Sequence, residues 1–348
     1  MSTTVLELAE PIYEREPETV QELIEWSKLN PLTWFIENLI LEQGVHVLHG
    51  LEESFKTMLM LQLHEVLTQG GTFLRWDVQG GYRTGIAELE MKQQLSGRRF
   101  GNVWPGKEIP EIYVLPEKAR RQLLTAKGSD RIKVIVDWAN EKALDFVSID
   151  SLAKLFPPGM DVSRQDLASD IFSQIQLLPT TLILAHDRKP SHEAKGAAGS
   201  GNAEIVGSGR MSQEPDVVLQ VIRPDKRAPM VRLDCGKMRE GTKPEPLDLY
   251  FDRVDFRLQA IHPFLHLLPA TGPELVEQAD KRYGWKARNS AEYIKTLKDV
   301  PGIEVGTFEG SKRFESTLSL PDLYAAIQNA PEKEEKKAAA GPDTSPGT

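Results

Sequence analysis

Short apolar runs alternate along the chain with segments whose apolar residues recur every three or four positions. The runs VHVLHG (45–50), GIAELE (85–90), EIYVL (111–115), DFVSID (145–150), TTLILAHD (180–187), DVVLQVI (216–222), MVRLDC (230–235) and LDLYFD (247–252) predict strands. Helical periodicity fills 56–69, 91–99, 128–143 and 163–177. Strands separated by helices predict βαβ units and a mostly parallel sheet, hence an α/β fold. The last three strands have short spacers, which predicts antiparallel hairpins at one edge of that sheet.

The pattern changes at about 259–270, within QAIHPFLHLLPATGPE (259–274). Two helix-like segments follow, 272–283 and 287–299, and then a strand–turn–strand pattern over 302–318 with Gly at its turn. Helix, helix and hairpin in that order predict a small C-terminal winged-helix-like domain at 268–322. Residues 31–258 then form the main domain, and 1–30 a loose or helical lead-in. Residues 331–348, charged and then small and Pro/Gly-rich, read as a disordered tail.

Composition narrows the class. Hydrophobic residues make up 40% and charged residues 27%, a soluble globular balance. No apolar run approaches the ~18 residues that cross a membrane. The acidic N-terminus lacks the basic start and apolar stretch of a secretory signal. One cysteine, Cys235, excludes an internal disulfide, so a cytoplasmic protein is expected. The net charge of -9 weighs against DNA as the main partner. The acid is uneven, however: residues 1–42 hold nine acidic side chains against Arg15 and Lys28 alone. A locally basic surface elsewhere stays open.

The first strand runs into Gly50-Leu51-Glu52-Glu53-Ser54-Phe55-Lys56-Thr57, followed by an amphipathic helix. This is G-x-x-x-x-G-K-[ST] with Phe55 in place of the second Gly. Backbone N–H groups at a helix N-terminus bind phosphate oxygens, the Lys reaches the outer phosphates, and the Thr hydroxyl binds Mg²⁺. Gly50, Ser54, Phe55, Lys56, Thr57 and Met58 are therefore the candidate nucleotide-binding residues, with ATP and Mg²⁺ the expected cofactors. Phe55 must aim its Cβ away from the nucleotide. Glu52 and Glu53 place negative charge on a loop meant for phosphates, which predicts weakened affinity.

DFVSID ends in Asp150, placed to support the metal with Thr57. GIAELEM ends in Glu88 and Glu90, and a carboxylate there is positioned to activate water. Alternation puts both on one strand face, so the periodicity does not choose between them. The seven histidines match no metal spacing, and no zinc site is expected.

An ordered set of motifs over 30–258 resembles the RepA-type hexameric ATPases, relatives of the DnaB-type replicative helicases within the RecA-like P-loop superfamily. PLTWFIENLILEQGVHVLHG resembles the family's lead into its first strand. GLEESFKT lies where the Walker A lies, and FVSIDSLAKL resembles the Walker B strand. AELEMKQQL resembles the segment carrying the catalytic glutamate, which implies Glu90. LILAHDRKP resembles the strand end that senses the γ-phosphate, which implies His186. GSGRMSQEPDVVLQV (207–221) resembles G-S-x-x-x-x-Q-x-x-D-x-V, and CGKMREG resembles K-x-R-x-G. In the family that Lys and Arg reach a neighbouring subunit's nucleotide, which implies Lys237 and Arg239 acting in trans within a homo-oligomer, a hexamer foremost. The loop 188–206 lies where such proteins hold single-stranded DNA, implying contacts from Arg188, Lys189 and Lys195.

In the winged-helix reading, 287–299 is the recognition helix. Arg288, Asn289, Ser290, Lys295 and Lys298 approach phosphates or base edges, and Lys312 and Arg313 sit at the wing. The expected protein is an ATP-dependent, DNA-associated ATPase, a RepA-like helicase or related motor of a plasmid, phage or mobile element with a replication-type protein partner. Two alternatives stay open. One is a nucleotide-binding assembly protein with weak hydrolysis. The other is a winged-helix DNA-binding regulator with a degenerate ATPase core.

Overall fold

The computed structural model describes residues 18–104, 108–126, 130–157, 165–187, 213–223, 229–252, 255–319, 322–323 and 326. Its centre is a nine-stranded sheet. The parallel part carries β3 (Val45–Gly50), β6 (Thr84–Glu88), β7 (Ile112–Val114), β8 (Phe146–Asp150), β9 (Thr180–His186) and β10 (Val217–Ile222). β11 (Met230–Met238), β12 (Leu247–Asp252) and β13 (Arg257–Gln259) extend it by antiparallel pairing. The order is β13-β12-β11-β10-β3-β9-β8-β6-β7. One strand, β9, separates the strand entering the phosphate loop from the one ending in Asp150, the RecA-like P-loop arrangement. Two antiparallel pairs lie outside this sheet: β1 (Trp34–Ile36) with β2 (Ile40–Leu41), and β4 (Gly71–Phe73) with β5 (Trp76–Val78).

Period-two burial divides the sheet's side chains between two cores. Leu182 and Leu184 of β9 face one layer, with Leu48 and the helix α2 (Lys56–Gln69). Ile183 and Ala185 face the other, with α5 (Asp130–Glu141) and α6 (Gln165–Ile175). A strand buried on both faces reads as an unbroken apolar run, which is why these strands were legible. α3 (Gln93–Gly101) and α4 (Glu117–Thr125) flank β7. α4 and the β4–β5 pair were not expected: EKARRQLLT carries few apolar residues, and three-residue strands give no periodicity.

Before the sheet, α1 (Val20–Leu29) starts at a reciprocal cap between Thr19 and Glu22 and buries none of its residues. Beyond it, β14 (Ala270–Thr271), α7 (Gly272–Tyr283), α8 (Ala287–Leu297), β15 (Ile303–Phe308) and β16 (Ser311–Ser316) form a three-stranded sheet of order β14-β16-β15 backed by two helices. Thr271 and Glu274 cap α7 reciprocally, and Gly284 ends it in the left-handed region at φ 64°. This unit has its own core, centred on Phe264, Trp285, Tyr293 and Leu297, and Tyr250 of β12 joins it. Among the described residues no helix is long and apolar enough to cross a membrane.

Candidate nucleotide site

The site sits at the C-terminal ends of the parallel strands, the open edge where α/β sheets bind ligands. Gly50 ends β3 against the neighbouring strand: a Cβ there would lie 2.5 Å from the Val221 carbonyl oxygen. Only glycine allows that approach. The loop then turns so that Phe55 stands just before α2 at φ 66° and ψ 16°, the left-handed region. This explains the usual glycine at this position, since a residue with a Cβ is strained there. The Phe55 ring stacks on Phe251 at 4.8 Å with the Arg223 guanidinium 4.9 Å from its centre. Arg223 also donates to the Glu53 carbonyl at 2.7 Å, so one side chain braces the loop twice.

No side chain caps the N-terminus of α2. Its first intrahelical bond is Leu59 N–H to Phe55 O, so the N–H groups of Lys56, Thr57 and Met58 have no helical acceptor. An anion there meets both those donors and the positive end of the helix dipole. Lys56 is buried, and its Nζ donates to the carbonyls of Gly50 and Leu51, both at 2.8 Å. Burial lowers its pKa, against the raising effect of Asp187, Asp150 and Glu90. Met58 contributes backbone only, because its side chain is in the core. Glu52 and Glu53 are exposed.

Thr57 Oγ1 donates to Asp150 Oδ2 at 3.1 Å, so hydroxyl and carboxylate already share one point. Burial, then the charges of Glu88 and Glu90, push the Asp150 carboxyl up to about 6. A carboxylate destabilised in this way is relieved by a cation. The donor set, one hydroxyl and one carboxylate, suits Mg²⁺, which is held by few protein oxygens together with substrate phosphates.

The two glutamates separate because β6 stops at Glu88. Glu88 turns inward, 3% exposed, and its Oε1 accepts the N–H groups of Glu90 at 2.8 Å and Met91 at 3.0 Å. Glu90 stands at the rim with its Oε1 3.4 Å from His186 Nε2 and accepting from the Ser151 hydroxyl. The His186 contact, with Ser151 and against partial burial, draws the Glu90 carboxyl down to about 2, leaving it ionised. The structure thus brings Lys56, Thr57, Asp150, Glu90 and His186 together.

Lys237 and Arg239 lie apart from that cluster on β11 and just after it. Lys237 Nζ donates to the carbonyls of Gln213 and Pro215, and Arg239 pairs with Asp216 at 3.1 Å and donates to Gln213 O at 2.9 Å. Both are aimed along the chain's own 213–216 segment. Arg188, Lys189, Lys195 and the GSGRMS part of the following motif lie outside the described residues. Arg288 and Lys295 on α8 and Lys298 just after it are exposed, whereas Ser290 is fully buried and cannot reach a nucleic acid. Lys312 is exposed on β16; Arg313 beside it is half-buried, paired with Glu315 and lying over Phe308.

Sequence reasoning missed a pair behind the phosphate loop. His49 Nδ1 meets Asp187 Oδ1 at 2.6 Å, and Gln220 Nε2 donates to Asp187 Oδ2 at 3.5 Å. Asp187 also donates its N–H to Gly50 O. The signal was adjacency: Asp187 follows His186, which pairs in register with Gly50. Ser151 was missed because only the turn after β8 brings it to Glu90.

A family model described as an AAA domain matches residues 9–191, more than half of the chain. The chain belongs to the AAA domain family. The match spans the phosphate loop, Glu90, Asp150 and His186, so the family's nucleotide-binding P-loop features coincide with the site built above. No curated protein matches the chain. Among solved structures, one titled "Crystal structure of the RadB recombinase" is 10% identical, covering 64% of this chain and 92% of that chain at a TM-score of 0.43.

Proposed function

We propose that this protein is a Mg²⁺-dependent ATPase that works as an oligomer on DNA, a RepA-like helicase or a motor related to one. One observation carries the reading. At one end of a parallel sheet, an uncapped helix N-terminus, a buried lysine, a Thr57–Asp150 pair and a Glu90–His186 pair converge within a single cradle. In this reading the N–H groups of 56–58 and Lys56 bind phosphate oxygens. Thr57 and Asp150 hold the metal, which neutralises charge on the phosphates when bound. Glu90 orients the attacking water with its ionised carboxylate; the His186 and Ser151 contacts that hold its pKa down also make it a weak base. His186, in contact with Glu90, registers the outer phosphate. Lys237 and Arg239 complete a neighbouring copy's site once released from the 213–216 carbonyls.

DNA is favoured by the C-terminal unit. Its strand order, two helices and hairpin fit a winged helix, and Arg288, Lys295, Lys298 and Lys312 are exposed on this unit. These are phosphate-type contacts, which position without reading sequence.

A second reading, a nucleotide-gated assembly protein with slow turnover, is favoured by the loop itself. Lys56 is engaged by its own loop carbonyls and Phe55 holds a strained conformation. The deciding experiment measures ATP hydrolysis with and without single-stranded DNA, beside Lys56→Ala. Turnover that rises with DNA and is lost in the variant supports the motor. ATP binding with turnover no higher than in the variant supports the assembly protein.

A further inference from the structure

A buried polar row lies behind the phosphate loop, on the face of the sheet turned away from α2. β10, β3 and β9 run side by side there, with Gln220 in register with His49 and His49 with Ala185. Val47 and Ala185 face the layer of α5 and α6, so by alternation His49 and Asp187 face it too, while His186 turns with Leu182 and Leu184 towards α2. His49 Nδ1–H donates to Asp187 Oδ1 at 2.6 Å, and the Gln220 amide to Asp187 Oδ2 at 3.5 Å. The His49 and Asp187 side chains are 7% and 2% exposed. The backbone adds a second tie: Asp187 N–H donates to Gly50 O at 3.2 Å, the same oxygen that accepts from Lys56 Nζ at 2.8 Å. This joint is therefore flanked by Gly50, which follows His49 and opens the phosphate loop, and by His186, which precedes Asp187 and touches Glu90.

We propose that His49 and Asp187 are positioning residues for the hydrolysis proposed above, a step that rests on that reading. Their pair locks the end of β9 to the end of β3, and so fixes His186, with Glu90 against it, relative to the phosphates held by the loop. The phosphate loop has braces of its own, Arg223 on the Glu53 carbonyl and Phe55 on Phe251. β9 ends at His186, and the Asp187 pair holds the chain just past that point. Loosening the joint therefore falls on His186 more than on the phosphate donors at 56–58. A group misplaced by about 1 Å at a reacting centre can cost a hundredfold in rate, which gives a buried, well-bonded joint a purpose beyond packing. The joint also eases the release of Lys56. When that side chain turns to phosphate, the Asp187 N–H stays on the Gly50 oxygen, and the buried acceptor keeps a partner.

The test sets ATP turnover beside ADP binding in the full chain, because ADP meets the loop but lacks the outer phosphate that His186 registers in this reading. Asp187→Ala and His49→Leu are expected to lower kcat about tenfold to a hundredfold, while the Kd for ADP stays within about threefold of wild type. The double variant should be no slower than the slower single variant, since each change removes the same pair. Asp187→Asn keeps an oxygen for His49, with the Gln220 amide turned to match, and His49→Asn keeps an N–H donor in the place of Nδ1. Both should hold kcat within about threefold of wild type. Rescue by Asn, with ADP still bound, is a result that a general loss of folding does not produce. An unchanged kcat in Asp187→Ala, Asn variants as slow as the Ala and Leu variants, effects that multiply in the double variant, or ADP binding that weakens in step with kcat would each overturn the proposal and leave the ATPase reading standing. Wild-type turnover no higher than that of Lys56→Ala would sink that reading and this proposal with it.

Discussion

Position 55 shows how a phosphate loop is kept in shape when its usual glycine is missing. The left-handed conformation costs a residue with a Cβ about 1–2 kcal/mol, and here the Phe251 stack and Arg223 offset it. Phe55→Ala keeps the strain and loses the stack, whereas Phe55→Gly loses both. The Gly variant is therefore expected to be more stable than the Ala variant by about 1 kcal/mol in urea melts. An Ala variant equal to or above Gly would show that the backbone at 55 carries no strain. The meeting of Lys56, Thr57 and Asp150 at one strand edge follows from local patterns and was legible in the chain alone. The choice between Glu88 and Glu90 was not legible from alternation. The period-two rule holds only while the strand lasts, and β6 ends between them. The resemblance pointed to Glu90, and the structure sets Glu90, not Glu88, against His186 and Ser151.

At the scale of elements, buried strands that run unbroken into their loops were readable, while their packing partners were not. Gly85 in β6 is an instance: a Cβ there would lie 2.5 Å from Leu144 Cδ1 and 2.6 Å from the Trp138 ring. Gly85→Ala is expected to cost about 1–3 kcal/mol by overpacking, and a melting temperature equal to wild type would show that α5 can move away. In the C-terminal unit His262 joins the start of the domain to α8. Its Nε2 donates to the Tyr293 carbonyl at 3.1 Å and its Nδ1 accepts from the Phe264 N–H at 3.2 Å. The ring is buried among Tyr250, Phe264 and Tyr293, with the Thr296 hydroxyl beside it. Burial lowers its pKa to about 3. The folded state thus binds this proton more weakly than the unfolded state does. The resulting stability is present above the ordinary value of 6.5 and is lost as pH falls towards 3. Between pH 7 and pH 5 the wild type should lose about 2 kcal/mol more stability than His262→Gln. Equal losses from denaturant titrations at the two pH values would place the His262 proton elsewhere.

At the scale of the whole molecule, the unresolved relation is between one chain's cradle and another chain's Lys237 and Arg239. Within a single chain both cations are spent on the 213–216 segment, and the cluster of Lys56, Asp150, Glu90 and His186 does not include them. If they act in trans, each active site is assembled from two copies, and two inactive variants can repair each other. Lys56→Ala removes the phosphate ligand but leaves the cations. Arg239→Ala removes the cation and leaves the cradle intact. In a one-to-one mixture that exchanges subunits at random, about a quarter of the interfaces pair an intact cradle with an intact Arg239, so ATP turnover should return to about a quarter of wild type. Size-exclusion chromatography of differently tagged variants checks that exchange has taken place. Mixed oligomers that stay as inactive as either parent would place Arg239 in its own chain's machinery or outside it, and the link between assembly and hydrolysis would then have to run through other residues.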